Sequence, residues 1–156
     1  MLNQLARLSV EADGRYATTE ELQFLRDYIQ SLDDRLSAYK KIQAAEAEII
    51  SQVDTKVQAI NPNLFRKGNR DVTSICKRDR VDVLRYSAAA LLSSDLDRLR
   101  ESFLLWYQTI ISAFQDERAS ALTYQVMQEV VKQYLTPQEA ALFSPIMGLN
   151  QVILGN

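Results

Sequence analysis

The sequence predicts an all-α protein built as one domain, and three observations carry that expectation. Glycine (4) and proline (3) are too scarce in 156 residues for the many tight turns of a sandwich or barrel. Apolar residues recur at alternating three- and four-residue steps, the period of one helix face. Signals that cap or stop helices separate these periodic runs. With 47% hydrophobic and 24% charged residues, the composition excludes wholesale disorder, and two separate cores would each be marginal at this length.

Each element follows from local chemistry. Leu2, Leu5 and Leu8 form the apolar face of a short helix that the turn at Asp13–Gly14 closes. Thr18 and Glu21 make a capping-box pattern ahead of a strongly periodic run. Leu22, Leu25, Ile29, Leu32, Leu36 and Tyr39 mark it, and it continues through Ile42, Ile49, Ile50 and Val53 with a break near Asp33–Asp34. Asn61–Pro62–Asn63 stops that helix, and Gly68–Asn69 extends the loop. A third long helix runs from about Asp71 to Leu92, and Ser93–Ser94–Asp95 breaks it and caps the next. That next helix carries Leu96, Leu99, Phe103, Tyr107, Ile110 and Phe114 at helical spacing. Phe103 and Trp106 share its stripe and read as core, not as a stacking platform. Another helix spans Arg118 to Leu135, and Thr136–Pro137–Gln138–Glu139 is a strong start for the last, which Pro145 and Gly148 interrupt. The short N-terminal pair cannot bury its leucines alone, so it must pack on a partner or fold back.

Counts of reactive residues close most chemistries. The chain has no histidine, which excludes Ser–His and Cys–His catalysis, His-ligated zinc and globin-type haem ligation. Its single cysteine, Cys76, excludes an internal disulfide and a Cys cluster for metal. The carboxylate pairs Asp79–Asp82 and Glu46–Glu48 read as solvated charge, and no enzyme is expected. No apolar run reaches the roughly 18–20 residues of a membrane span and no leader opens the chain, so a soluble, cytoplasmic protein is expected.

Net charge is −2, but its distribution is uneven. Residues 66 to 85 hold Arg66, Lys67, Arg70, Lys77, Arg78, Arg80 and Arg85 against Asp71, Asp79 and Asp82. This +4 window leaves −6 on the remainder, which suits a small anionic ligand better than nucleic acid. Within it, Asp79 lies about 300° around the helix from Cys76, so the two share a face one turn apart. Tyr86, at about 280°, joins that face, and the cations Lys77, Arg78 and Arg80 favour the Cys76 thiolate.

These residues resemble the phycobiliproteins, above all the allophycocyanin-like branch. The hallmark Cys-x-Arg-Asp, four variable residues and Leu-Arg-Tyr is matched without a gap by Cys76, Arg78, Asp79, Leu84, Arg85 and Tyr86. Leu91-Leu92-Ser93-Ser94-Asp95 is similar to the family's Leu-Ala-Gly-Asp turn, and Asp13-Gly14-Arg15-Tyr16 to its N-terminal junction. The resemblance implies a globin-like fold over residues 1–156, with about residues 1–17 forming an N-terminal helical extension used for dimerisation. It implies a linear tetrapyrrole, phycocyanobilin or a related bilin, held covalently through Cys76 or without a covalent bond, and no haem or metal. Asp79 would accept from the inner pyrrole N–H groups and Arg78 would pair with a propionate. Arg80, Lys77, Arg70 and Tyr86 complete the candidate pocket. Asp13, Tyr16 and Arg85 would form the interface of a homodimer or heterodimer that grows into rings. Other phycobilisome subunits or a bilin lyase are the further partners implied, with a place at the thylakoid surface through a phycobilisome.

Some residues depart from the family pattern. The family's Gly-Leu-x-Glu-Thr-Tyr falls on Trp106-Tyr107-Gln108-Thr109-Ile110-Ile111, so an indole replaces a glycine and local packing or pocket shape must differ. Asn63–Leu64–Phe65 resembles the asparagine-bearing loop of β-type subunits but sits one residue too far from Cys76, and Asp71 and Val72 stand where arginines are common. Such changes fit a divergent relative, such as the bilin biliprotein lyase-associated globins, better than an antenna subunit. They leave open whether the chain harvests light as a divergent allophycocyanin-type subunit or handles or senses bilin outside the antenna. The alternative is a chromophore-free interaction module that keeps only the fold and dimer interface.

Overall fold

The structure, a computed structural model, describes residues 1–67 and 70–155, without the side chains of Lys67 and Arg70. Among the described residues eight α-helices run in chain order: α1 (Leu2–Glu11), α2 (Gln23–Gln30), α3 (Leu32–Ile60), α4 (Thr73–Ser93), α5 (Leu96–Leu99), α6 (Leu105–Phe114), α7 (Glu117–Lys132) and α8 (Pro137–Leu154). A π-helical turn, Arg100–Leu104, joins α5 to α6. Two-residue strands β1 (Arg66–Lys67) and β2 (Arg70–Asp71) pair antiparallel between α3 and α4, with Arg66 opposite Asp71. This ladder has no sequence signal, because two residues are too few to show alternation. The expected Gly68–Asn69 loop lies outside the described residues.

Start and stop chemistry explains most boundaries. Thr18 and Glu21 exchange their two capping bonds, at 2.8 and 3.2 Å, although regular α2 begins only at Gln23. The chain breaks at Ser31 between α2 and α3, two residues ahead of the expected Asp33–Asp34, and both aspartates sit in the first turn of α3. There they face the positive end of the helix dipole. Asn61 ends α3, and Asp95 caps α5 by accepting from the Arg98 N–H. Thr136 and Glu139 form a full capping box for α8, with proline in its first turn.

Helix α8 corrects one expectation. It runs unbroken through Pro145 and Gly148. Proline removes a single ladder bond, and the buried Phe143, Ile146, Met147, Ile153 and Leu154 on either side hold the helix against the core.

That core lies where α3 crosses α4, α7 and α8. Ile42, Ile49, Ile50, Val53 and Val57 of α3 meet Val83, Leu84 and Leu91 of α4, Met127, Val130 and Val131 of α7, and the α8 residues above. Each such side chain contributes roughly 1.5–3 kcal/mol when taken out of water. Two buried polar links add register. The Asn150 amide donates to Ser87 Oγ at 2.7 Å, and Lys41 donates to both Glu139 carboxylate oxygens at 2.8 Å.

The N-terminal pair is attached differently. No residue of α1 or α2 is buried, and Leu2, Val10, Tyr16, Leu22 and Ile29 are exposed. Polar contacts tie the pair to the corner between α4 and α5. The Met1 amino group donates to the Ser94 carbonyl, Asn3 to the Asp95 carboxylate, and the Tyr28 hydroxyl to the Leu92 carbonyl at 3.0 Å. The turn between the two helices is fixed by Gly14 (φ +73°), where a side chain would be strained, and by a two-pronged Arg15–Glu21 ion pair.

Candidate functional site

A cavity of about 370 Å³ opens between α4, the π-helical turn, α6 and α7. That volume falls within the few hundred to 1,000 Å³ common for small-molecule sites. Helix α4 supplies Ile75, Cys76, Arg78, Asp79, Arg80 and Asp82. Phe103 lines it from the π-helical turn, α6 adds Trp106, Tyr107, Ile110, Ile111 and Phe114, and α7 adds Thr123 and Tyr124. The connection before α4 closes one end with Leu64, Phe65 and Val72. The walls are mostly apolar; Arg78, Asp79, Arg80 and Asp82 enter from α4, and Asp116, just ahead of α7, adds a further carboxylate.

Cys76 and Asp79 lie one turn apart on the same wall, as their spacing predicts. Cys76 is half-buried. Arg78, largely exposed, donates from Nε and Nη2 to Asp79 at 3.3 and 3.2 Å. On the other side Asp79 meets the Tyr107 phenol, which in turn contacts Tyr124. Burial, and then the negative charge of Asp79, push the Tyr107 phenol well above its ordinary range, so it is a neutral donor at neutral pH. Burial does the same to Tyr124.

Arg80 is the unexpected member. Its guanidinium is 2% exposed, in ion-pair contact with Asp54 of α3 and 4.6 Å over the Phe65 ring. The ion pair lacks hydrogen-bond alignment, so among the described residues Nε and Nη2 of Arg80 have no hydrogen-bond partner. The charge of this buried cation on the cavity wall is balanced by the Asp54 carboxylate.

The remaining sequence candidates are placed elsewhere. Lys77 lies outside the cavity lining, with its ammonium 3.8 Å from Asp54. Tyr86 also stays outside, since it is half-exposed and stacks on Phe103 at 4.1 Å, supporting the wall from behind. The Arg70 side chain lies outside the described residues. Arg85 forms a two-pronged pair with Glu46 of α3 at 2.7 and 2.6 Å. The α4 part of the basic window is therefore no open patch: Lys77, Arg78, Arg80 and Arg85 each face a carboxylate. Asp13 and Tyr16 sit on the exposed turn after α1, far from burial.

Trp106 corrects a second expectation. It is 59% exposed at the cavity mouth and is not core, whereas Phe103 is buried as expected. The π-helical turn before α6 inserts an extra residue into the helical phase, so the regular three- and four-residue count no longer says which way α6 residues point. Tyr124 and Phe65 had no sequence signal for the site. Tyr107 shared the apolar stripe and could have been found by asking why a phenol sits there.

The family model described as "Phycobilisome protein" matches residues 8–151. The chain belongs to the phycobilisome protein family. It is similar to the phycobiliprotein beta chain of Mastigocladus laminosus, 31% identical over 127 residues, covering 78% of this chain and 75% of that one. It is also similar to an allophycocyanin subunit beta-18 of Picosynechococcus sp., 32% identical over 98 residues, covering 60% and 58%. The B-phycoerythrin beta chain of Guillardia theta is 29% identical over 110 residues, covering 67% and 62%. For this phycobilisome-family chain the all-α, globin-like arrangement expected from the sequence is the one observed.

Proposed function

We propose that the chain is a light-harvesting phycobiliprotein subunit, not an enzyme, and that its α4–α6 cavity holds a linear tetrapyrrole such as phycocyanobilin. One observation carries this reading: a thiol and a carboxylate one helical turn apart on the wall of an apolar cavity that is also lined by a buried guanidinium. The residues suit the group. A conjugated π-system needs flat apolar walls, its pyrrole N–H groups need a carboxylate, and its propionates need cations.

When bound, the pigment supplies the extended conjugation that absorbs red light. Cys76 offers the sulfur for a thioether. Asp79, oriented by the Tyr107 hydroxyl, accepts from pyrrole N–H groups. Arg78, the exposed partner of Asp79, would pair with a propionate. Arg80 would supply positive charge behind the cavity wall, with its Nε and Nη2 buried and Nη2 against Asp54. Phe103, Tyr107, Ile110, Ile111 and Tyr124 exclude water and hold the bound group in one shape.

The apolar residues left exposed on α1 and α2 support a dimer through this hairpin, with Asp13 and Tyr16 at its rim and Arg85 as their partner in a second subunit. Assembly into a phycobilisome would place the protein in the cytoplasm at the thylakoid surface. Among the described residues no helix is long and apolar enough to cross a membrane. The chromophore-free alternative calls for a filled pocket, and the open cavity does not favour it. Zinc-induced fluorescence on a denaturing gel tests attachment after co-production with phycocyanobilin. The wild type should fluoresce and Cys76→Ala should not; equal staining of both would place the bond elsewhere.

A further inference from the structure

The cavity mouth is unusual for a soluble surface. Three large apolar residues frame it, and all are exposed: Ile75 at 52%, Trp106 at 59% and Phe114 at 67%. Scattered exposed apolar residues are ordinary, but a cluster continuous with a cavity points to something that covers it. Trp106, the chain's only tryptophan, is the most informative of the three. Its indole is propped by Phe103 (6.3 Å, 46° between planes) and Tyr107 (6.4 Å, 32°). Phe103 in turn stacks on Tyr86 and Tyr107. The indole is thus braced by a rigid aromatic wall on one side and largely open on the other.

We propose that Trp106 is a specificity-determining residue of this site, stacking on the part of the ligand that emerges at the mouth and so selecting extended, continuously conjugated tetrapyrroles. This inference rests on the tetrapyrrole reading above. The physical basis is that an indole gains most from a flat π-surface, through offset stacking and burial of its exposed area. A ligand with the same acid groups but a folded, interrupted π-system keeps its two negative charges and loses the indole. A carboxylate-only site would not separate the two.

Biliverdin and bilirubin make that comparison, because both carry two propionates while the central bridge of bilirubin is saturated and its halves fold. Equilibrium titration of the full chain should show biliverdin bound about tenfold more tightly than bilirubin, an increment in the range of one aromatic stacking contact. Trp106→Ala should weaken biliverdin about tenfold and leave bilirubin nearly unchanged, and Trp106→Phe should retain most of the preference. On the wild-type protein, biliverdin should slow N-bromosuccinimide oxidation of Trp106, followed by peptide mass. A folded Trp106→Ala with unchanged biliverdin affinity, or an indole equally oxidised with and without biliverdin, overturns the proposal and leaves the pocket standing. A variant that changes sedimentation but not affinity assigns Trp106 to a protein contact and overturns it too. A wild type that binds neither pigment overturns both readings. Should Trp106→Ala not fold, the oxidation result and Trp106→Phe decide.

Discussion

The buried Arg80–Asp54 pair links the stability of the fold to the candidate site, and breaking it from either side should have unequal effects. The Arg80 side chain is 2% exposed, while that of Asp54 is 15% exposed and also faces the Lys77 ammonium at 3.8 Å. Asp54→Asn keeps the shape but leaves a guanidinium buried without a counter-charge, a change that costs about 3–5 kcal/mol. Lys77 is 55% exposed, so water solvates it and it adds little. Arg80→Met leaves Asp54 nearer to solvent with Lys77 beside it, and should cost less than Asp54→Asn. The double variant Arg80→Met with Asp54→Leu should return to within about 1 kcal/mol of the wild type, because hydrophobic residues replace buried pairs well. Urea unfolding followed by far-ultraviolet circular dichroism reads these differences. With slopes of about 1–3 kcal/mol per molar, the Asp54→Asn midpoint should fall by 1 M or more. If Asp54→Asn costs under about 1 kcal/mol, or the double variant is no better than the worse single one, Arg80 is not a buried charge held by Asp54.

Other outcomes follow from the same structure. Burial would raise the Glu139 carboxyl, but Lys41, Ser37 and the Thr136 N–H outweigh it and hold it at about 2, below an ordinary 4.5. That contribution, up to roughly 3 kcal/mol, is complete above about pH 4.5 and is lost as pH falls toward 2. Glu139→Gln should therefore be less stable than wild type at pH 7, with the gap narrowing below pH 5 in urea titrations; a gap independent of pH contradicts this. Tyr86→Ala should cost about 1 kcal/mol through its lost stack on Phe103 and broaden the red band of the loaded protein, with no effect on covalent attachment. Ile29→Glu together with Leu22→Glu should turn a dimer into a monomer in analytical ultracentrifugation while the helical signal is unchanged; a persisting dimer would place the interface elsewhere. Arg85→Glu breaks the Glu46 contact and should also weaken the dimer, whereas Glu46→Gln loosens that contact alone and should leave the dimer intact.

What the sequence made legible is what depends on local chemistry. Thr136 with Glu139, Asp95 and Asn61 each mark a helix end and appear in place, while the Thr18–Glu21 box forms but precedes regular α2 by a turn. Cys76 and Asp79 share a wall because α4 is regular between them. Where tertiary structure decides, the residues alone misled. Pro145 sits inside a helix because neighbouring buried side chains outweigh one lost bond. Lys77, Arg80 and Arg85 looked like an open basic patch, yet their partners Asp54 and Glu46 come from α3, some thirty residues away and invisible to any local pattern. Trp106 emerged at the surface because a π-helical turn resets the phase ahead of it. The aromatic cluster that walls the site follows from the same reset and from Tyr124 on a separate helix.

The most direct test of the central claim is the absorption spectrum of the purified chain co-produced with phycocyanobilin, recorded native and again in urea. A rigid pocket built on Cys76 and Asp79 predicts an intense red band in the native protein that collapses on unfolding, with the pigment still attached. A colourless protein, or a spectrum that unfolding leaves unchanged, would contradict it.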